Sequence, residues 1–211
     1  MSFDLSGLGY LSARDRVLFS QFPLLMAPMS GELPPCPPGA RRLIAASDGL
    51  WVETVTPAVH FRGRVAPVEL PFGSVRGFCR LAGGLIPASI RDAVFERAKS
   101  CREEIACLVA WSRREAAYRL IWPDVDSVSR SHVTYSAWAD TDDLSLAVDI
   151  HSHGAGAAFF SSTDDASDRG VFEPHLSVVL GRCDQPELQL ATRFCVGQYL
   201  VDLPSAPFEA A

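Results

Sequence analysis

The sequence predicts an α/β fold, a mixed sheet with flanking helices, preceded by a small β-rich N-terminal module. Three features carry that expectation. A proline-rich run at 34–38 leads into short β-like segments, residues 86–100 repeat apolar positions at helical spacing, and beyond residue 100 short apolar runs alternate with polar turns around one Asp-rich stretch. With 211 residues, 48% of them hydrophobic and 21% charged, the chain is long enough to bury a core for such a sheet.

In chain order, residues 12–19 read as a short helix, and Pro34, Pro35, Pro37 and Pro38 then impose a stiff connector, because proline lacks the N–H that a helix or central strand needs. Residues 42–46 and 50–55 flank Ser47-Asp48-Gly49, a turn between two strands, and 58–61 and 64–70 read as two further short strands. A different texture starts at Gly83-Gly84. Pro87 suits a first helical position, and Ile86, Ile90, Val94 and Ala98 recur at helical spacing, so 86–100 is expected as an amphipathic helix. The apolar run 105–111 suits a buried strand, with 118–122 as its partner ending at Pro123. Further strands are expected at 132–138, 144–151, 176–180, 188–195 and 199–203, and a short helix at 162–169, where early acids favour the positive end of a helix. The division that follows is a module at 1–83, a main domain at 84–203 and a tail at 204–211.

Bulk composition excludes several classes. A formal net charge of -6 argues against a general nucleic-acid binder, since attraction to phosphate needs a basic surface. No apolar run approaches a membrane span, and the start MSFDLSGLGY lacks the basic and apolar segments of a secretion signal, so a soluble cytoplasmic protein is expected. The six cysteines form no CxxC pair, which points away from a disulfide framework or a cysteine zinc ribbon.

The chemistry concentrates in one stretch, HSHGAGAAFFSSTD, residues 151–164. Residues two apart in a strand project to the same side, so His151 and His153 can offer two imidazoles to one metal while Ser152 faces away. Small residues at 154–158 permit a tight turn, after which Ser161 and Asp164, three apart, share one face of an opening helical turn. Two nitrogens and a carboxylate oxygen, with a fourth place for water, form the ligand set of a hydrolytic zinc site, and zinc lowers the pKa of its water from 15.7 to roughly 7.

This spacing of His-x-His, seven residues, Ser, two residues and Asp resembles the JAMM signature of JAB/MPN metalloproteases and matches it at all four positions. The family also needs a glutamate opening the strand after the first helix, and Glu104, ahead of Ile105-Ala106-Cys107-Leu108-Val109, occupies that place. The resemblance covers roughly residues 84–203, and around the motif the wording is especially similar to the PRTRC system protein A family. It implies a JAB/MPN-like, cytidine-deaminase-like architecture. It also implies zinc on His151, His153 and Asp164, with Glu104 as base and Ser161 as oxyanion donor. The implied activity is that of an isopeptidase or peptidase cleaving a ubiquitin-like protein in a bacterial cassette with ThiF/E1-like and E2-like partners. The alternative is a zinc-binding MPN scaffold that recruits such a partner and cleaves nothing.

Three positions depart from the family pattern: Gly154 replaces a common proline, Cys107 replaces a common glycine, and the link from Pro123 to Leu144 lacks a helix many relatives have. Other readings remain open beside the motif. Glu103 competes with Glu104, Asp165 competes with Asp164, and Ser161 with an acid three later also reads as a helix cap. Asp165 and Asp168 otherwise read as solvated first-turn acids. His60, His132 and His175 read as structural or surface residues, and the pairs Arg41-Arg42 and Arg113-Arg114 as solvated faces.

Overall fold

A computed structural model describes residues 22–123, 125–128, 133–135, 138, 140–171 and 173–210. The first third forms a five-stranded sheet in sequential order: β1 (Leu24–Met26), β2 (Arg41–Ala46), β3 (Gly49–Val55), β4 (Val59–Pro67) and β5 (Phe78–Leu81). The expected hairpin around Asp48 is present, with Ala46 opposite Gly49. Where two short strands were expected at 58–61 and 64–70, one nine-residue strand, β4, runs through. Arg62-Gly63-Arg64 resembles a break in the sequence, but Gly63 is needed by packing: a Cβ there would lie 2.3 Å from the Phe61 ring. The expected helix at 12–19 lies outside the described residues.

The helix α1 (Ala88–Ser100) starts later than expected, because Pro87 takes the extended N-cap position and not the first helical one. Ile86 instead forms a parallel bridge with Phe208, whose segment, expected as a tail, returns to the start of α1. There Pro207 accepts a hydrogen bond from the Ile86 N–H at 2.7 Å, and Glu209 accepts one from the Ala88 N–H at 3.1 Å. A six-stranded sheet follows, built from β6 (Ala106–Ser112), β7 (Ala117–Ile121), β10 (Leu144–Ser152), β11 (His175–Gly181), β12 (Gln189–Val196) and β13 (Tyr199–Leu203), in the order β13-β12-β11-β10-β6-β7. Between β7 and β10 a separate hairpin, β8 (Val125–Val128) with β9 (Val133–Tyr135), stands where one strand at 132–138 was expected, and His132 lies outside the described residues.

Every pair in the six-stranded sheet is antiparallel except β10 with β11. A parallel pair needs a crossover, and here the crossover is the motif itself: the turn after β10, then α2 (Ser162–Gly170). The two faces of this sheet differ sharply. Cys107, Val109, Val148, Ile150, Leu176, Val178, Leu180 and Phe194 fill one face and join Val94 and Ala98 of α1 in a single core. Phe61 of β4 stacks on Phe194 at 3.9 Å, so that core continues into the N-terminal sheet. No helix among the described residues is long and apolar enough to cross a membrane. The six cysteines are free thiols.

Candidate metal centre

The opposite face of the six-stranded sheet is polar. The register pairs Asp149 with Ser177 and His151 with Val179, then His175 with Cys195 and Ser177 with Arg193. Directly opposed residues share a face, so alternation gathers Asp149, His151, His175, Arg193 and Cys195 on the side covered by α2.

His151 stands near the end of β10, and the chain turns away after His153. Gly154 has φ +53, which proline, fixed near −65°, cannot adopt; this accounts physically for glycine at that position. The turn is laced to the end of β11: His153 N–H donates to Leu180 at 2.7 Å, Arg182 N–H to Gly156 at 2.6 Å and Cys183 N–H to Gly154 at 2.8 Å. That close approach requires Gly181, where a Cβ would lie 2.2 Å from the Ala158 nitrogen. The path delivers Ser161 as N-cap of α2 in a reciprocal capping box. Ser161 Oγ accepts from the Asp164 N–H at 3.2 Å, and Asp164 Oδ2 accepts from the Ser161 N–H at 2.6 Å.

The result brings three donor groups together. His151 Nε2 lies 3.3 Å from Asp164 Oδ1 and His153 Nε2 lies 3.7 Å from Asp164 Oδ2, and one atom from each residue falls within 4.8 Å of the others. His153 Nδ1 sits 3.3 Å from the Ala157 carbonyl, a contact that places the ring proton on Nδ1 and turns the Nε2 lone pair inward. His151 Nε2 is buried and has no hydrogen-bond partner among the described residues, although it points at a carboxylate. A buried polar atom left unsatisfied is costly, and two imidazole nitrogens with one carboxylate oxygen fit a zinc ion.

Electrostatics agree with the geometry. Burial alone would raise the Asp164 pKa, but His151 and the Ser161 N–H outweigh it and hold the carboxyl well below the usual range. Burial would lower the His151 pKa, and Asp164 reverses that and raises it. His153 is lowered, by burial and by the charge of His151.

The two glutamates differ in burial. Ala106 is opposite His151, and Ser152 N–H donates to the Ile105 carbonyl at 3.0 Å, so the pairing of the two strands reaches the residue next to Glu104. Glu104 is 8% exposed, whereas Glu103 is open to solvent. Asp165 turns to Arg193 at 2.5 Å and is absent from the three-residue cluster.

Two charged residues differ from expectation. Asp168 is buried and not a solvated acid: Arg193 Nε donates to its Oδ2 at 2.7 Å and the Cys195 thiol at 3.2 Å. Arg42, expected on a solvated face, is buried and donates to Glu53 at 2.8 Å. Arg193 belongs to the same polar face, and its only signal in the sequence is a charged residue inside an apolar strand pattern. Beyond α2 an open depression of about 560 Å³ lies between Phe159, Phe160, Arg169 and Asp202.

Comparison with known families gives two matches. Residues 12–82 match the model of a domain of unknown function, DUF2016, and residues 87–194 match that of prokaryotic homologs of the JAB domain. No curated protein matches the chain.

Proposed function

The chain belongs to the prokaryotic homologs of the JAB domain, whose match spans just over half of its 211 residues, and from that premise we propose a zinc-dependent peptidase or isopeptidase acting on a ubiquitin-like protein. The observation that carries the reading is the buried Nε2 of His151, without a hydrogen-bond partner among the described residues, converging with His153 and Asp164.

His151, His153 and Asp164 would hold the ion. Bound there, zinc would supply a Lewis acid and make water acidic enough to attack at neutral pH. The chain's own groups do the rest. Glu104 accepts the proton of the attacking water and returns it to the departing amine, which lets a lysine or peptide nitrogen leave. Ser161 uses its hydroxyl oxygen to accept from the Asp164 N–H, leaving its own O–H to donate to the oxygen of the carbonyl under attack. The class of substrate rests on the JAMM spacing and on the resemblance to the PRTRC system protein A family, whose cassettes carry E1-like, E2-like and ubiquitin-like neighbours.

The test is a zinc analysis followed by incubation with the cassette's ubiquitin-like protein, bearing a C-terminal extension or a lysine-linked conjugate. About one zinc per chain is expected, lost in the His151→Ala, His153→Ala double variant, with chelator-sensitive release of the extension. Zinc bound without cleavage of either substrate points to the MPN-type scaffold. No stoichiometric zinc in the parent protein overturns the metal assignment.

A further inference from the structure

The helix that carries Asp164 has almost nothing apolar with which to dock. α2 reads STDDASDRG; its one alanine, Ala166, is exposed, and its single buried residue is Asp168. A surface helix ordinarily docks through an apolar stripe, so a different device must fix this one to the sheet.

We propose that Arg193 of β12 is the positioning residue for Asp164: it clamps α2 onto the polar face and so sets the distance between Asp164 and the two histidines. This rests on the reading that His151, His153 and Asp164 hold a metal. Asp165 and Asp168, three apart, lie on one face of α2, and Arg193 reaches both, Nη1 to Asp165 Oδ1 at 2.5 Å and Nε to Asp168 Oδ2 at 2.7 Å. The Arg193 side chain is 3% exposed, and its guanidinium lies 3.8 Å over the Phe160 ring, one residue ahead of the N-cap. Both entry and exit of the helix's first two turns are thus tied to one planar cation, which suits arginine's fork of donors. From below, Cys195 donates to Asp168, and His175 Nε2 lies 3.8 Å from Asp168 Oδ1 while its Nδ1 is held by the Glu173 carbonyl at 2.7 Å. Asp164 immediately precedes Asp165, so the backbone held by Arg193 is the backbone that sets the candidate ligand.

Donor atoms of Asp168, His175 and Cys195 also fall within 4.8 Å of one another, which is the arrangement of a second metal centre. The clamp explains them better. Arg193 already occupies Asp168, donating to Oδ2 from Nε at 2.7 Å and pairing with it through Nη2 at 2.5 Å, so that carboxylate is committed to a cation of the chain itself.

The experiment titrates zinc into metal-free parent protein, Arg193→Lys, Arg193→Met and Asp165→Asn, and follows amide exchange over residues 161–170 and melting temperature in the same samples. Arg193→Met should weaken zinc affinity roughly 10- to 100-fold, the range for losing a group that orients a ligand. Arg193→Lys should recover part of it, and exchange should rise in α2 while β6 and β10 stay protected. Should Arg193→Met fail to fold, Asp165→Asn carries the test, with an expected loss of roughly 3- to 10-fold. Unchanged affinity in the folded variants overturns the clamp, as does a second zinc in the parent that is lost in Cys195→Ser. If the parent binds no zinc, the proposed function fails separately, and the clamp is decided by exchange alone: loosening confined to α2 supports it, and unchanged exchange overturns it.

Discussion

Each half of the molecule sets a carboxylate among basic side chains, Glu53 buried in one and Asp164 half-buried in the other, and the two differ in what the histidine nitrogens beside it do. In the N-terminal sheet Glu53, 1% exposed, accepts from Arg42 at 2.8 Å on Oε2, and from Arg62 at 2.8 Å and His60 at 2.9 Å on Oε1. Both oxygens are satisfied. Beside the C-terminal sheet Asp164 meets His151 and His153, and the His151 Nε2 atom is buried without a hydrogen bond among the described residues. A histidine nitrogen already bonded, as His60 Nε2 is to Glu53, helps hold a fold together, whereas one left unbonded beside a second histidine and a carboxylate has a lone pair to spare for a ligand. An unpaired atom alone does not mark a site, since Arg62 Nε in the first cluster and His175 Nε2 beside Asp168 are also buried without a partner among the described residues; a metal needs unpaired imidazole nitrogen converging with a carboxylate that no arginine already occupies.

Substitution should separate the clusters along that line. The largest effect is expected on turnover: Glu104→Gln should retain zinc and melting temperature and lose roughly 10² to 10⁴ in rate. If it stays fully active while Glu103→Gln is dead, the base has been misplaced by one residue. Glu53→Gln should do the reverse, costing about 3–5 kcal/mol of stability by leaving buried cations uncompensated, with zinc affinity unaltered in the folded fraction. Burial alone would raise the Glu53 pKa; donation from Arg62, His60 and Arg42 outweighs it and holds the carboxyl below its ordinary value of 4.5. Its contribution is then fully present above that value and lost as pH falls through the lower folded pKa, so denaturant midpoints should drop below pH 4.5 in the parent more than in Glu53→Gln. The smallest effect is expected where the two roles overlap. Ser161→Ala should cost about 1 kcal/mol as a lost cap, and roughly 10² to 10³ in turnover as a lost donor. Destabilisation with intact turnover would leave Ser161 a cap only.

Local patterns are legible in the sequence and cross-sheet ones are not. The motif at 151–164 needs only strand alternation, a turn and one helical step, all set within fourteen neighbouring positions, so residue spacing alone suffices to gather its three donor groups. β13 ends where its apolar run ends, and β6, β10 and β12 shift by a residue or two. β1 and β5 leave no such trace, because three or four residues give too little periodicity to read. Asp168, His175, Cys195 and Arg193 look unrelated along the chain, and only the pairing of β11 with β12 and the crossover of α2 put them in one place. Arg42 looks solvated in the sequence for the same reason: its partner, Glu53, is set by the register of β2 on β3.

The stacked rings of Phe61 and Phe194 have a consequence for how the molecule comes apart. Two separate family matches, 12–82 and 87–194, meet across one apolar core, and each supplies one ring of that pair. Neither part can expose its half of the interface without exposing the other's, so melting is expected as one cooperative transition and not as two independent ones. Evolutionary drift in the strands around Glu53 is then constrained by a partner sheet whose chemistry faces the opposite way. A weakening substitution there lowers the population of competent protein without touching any residue of the polar face.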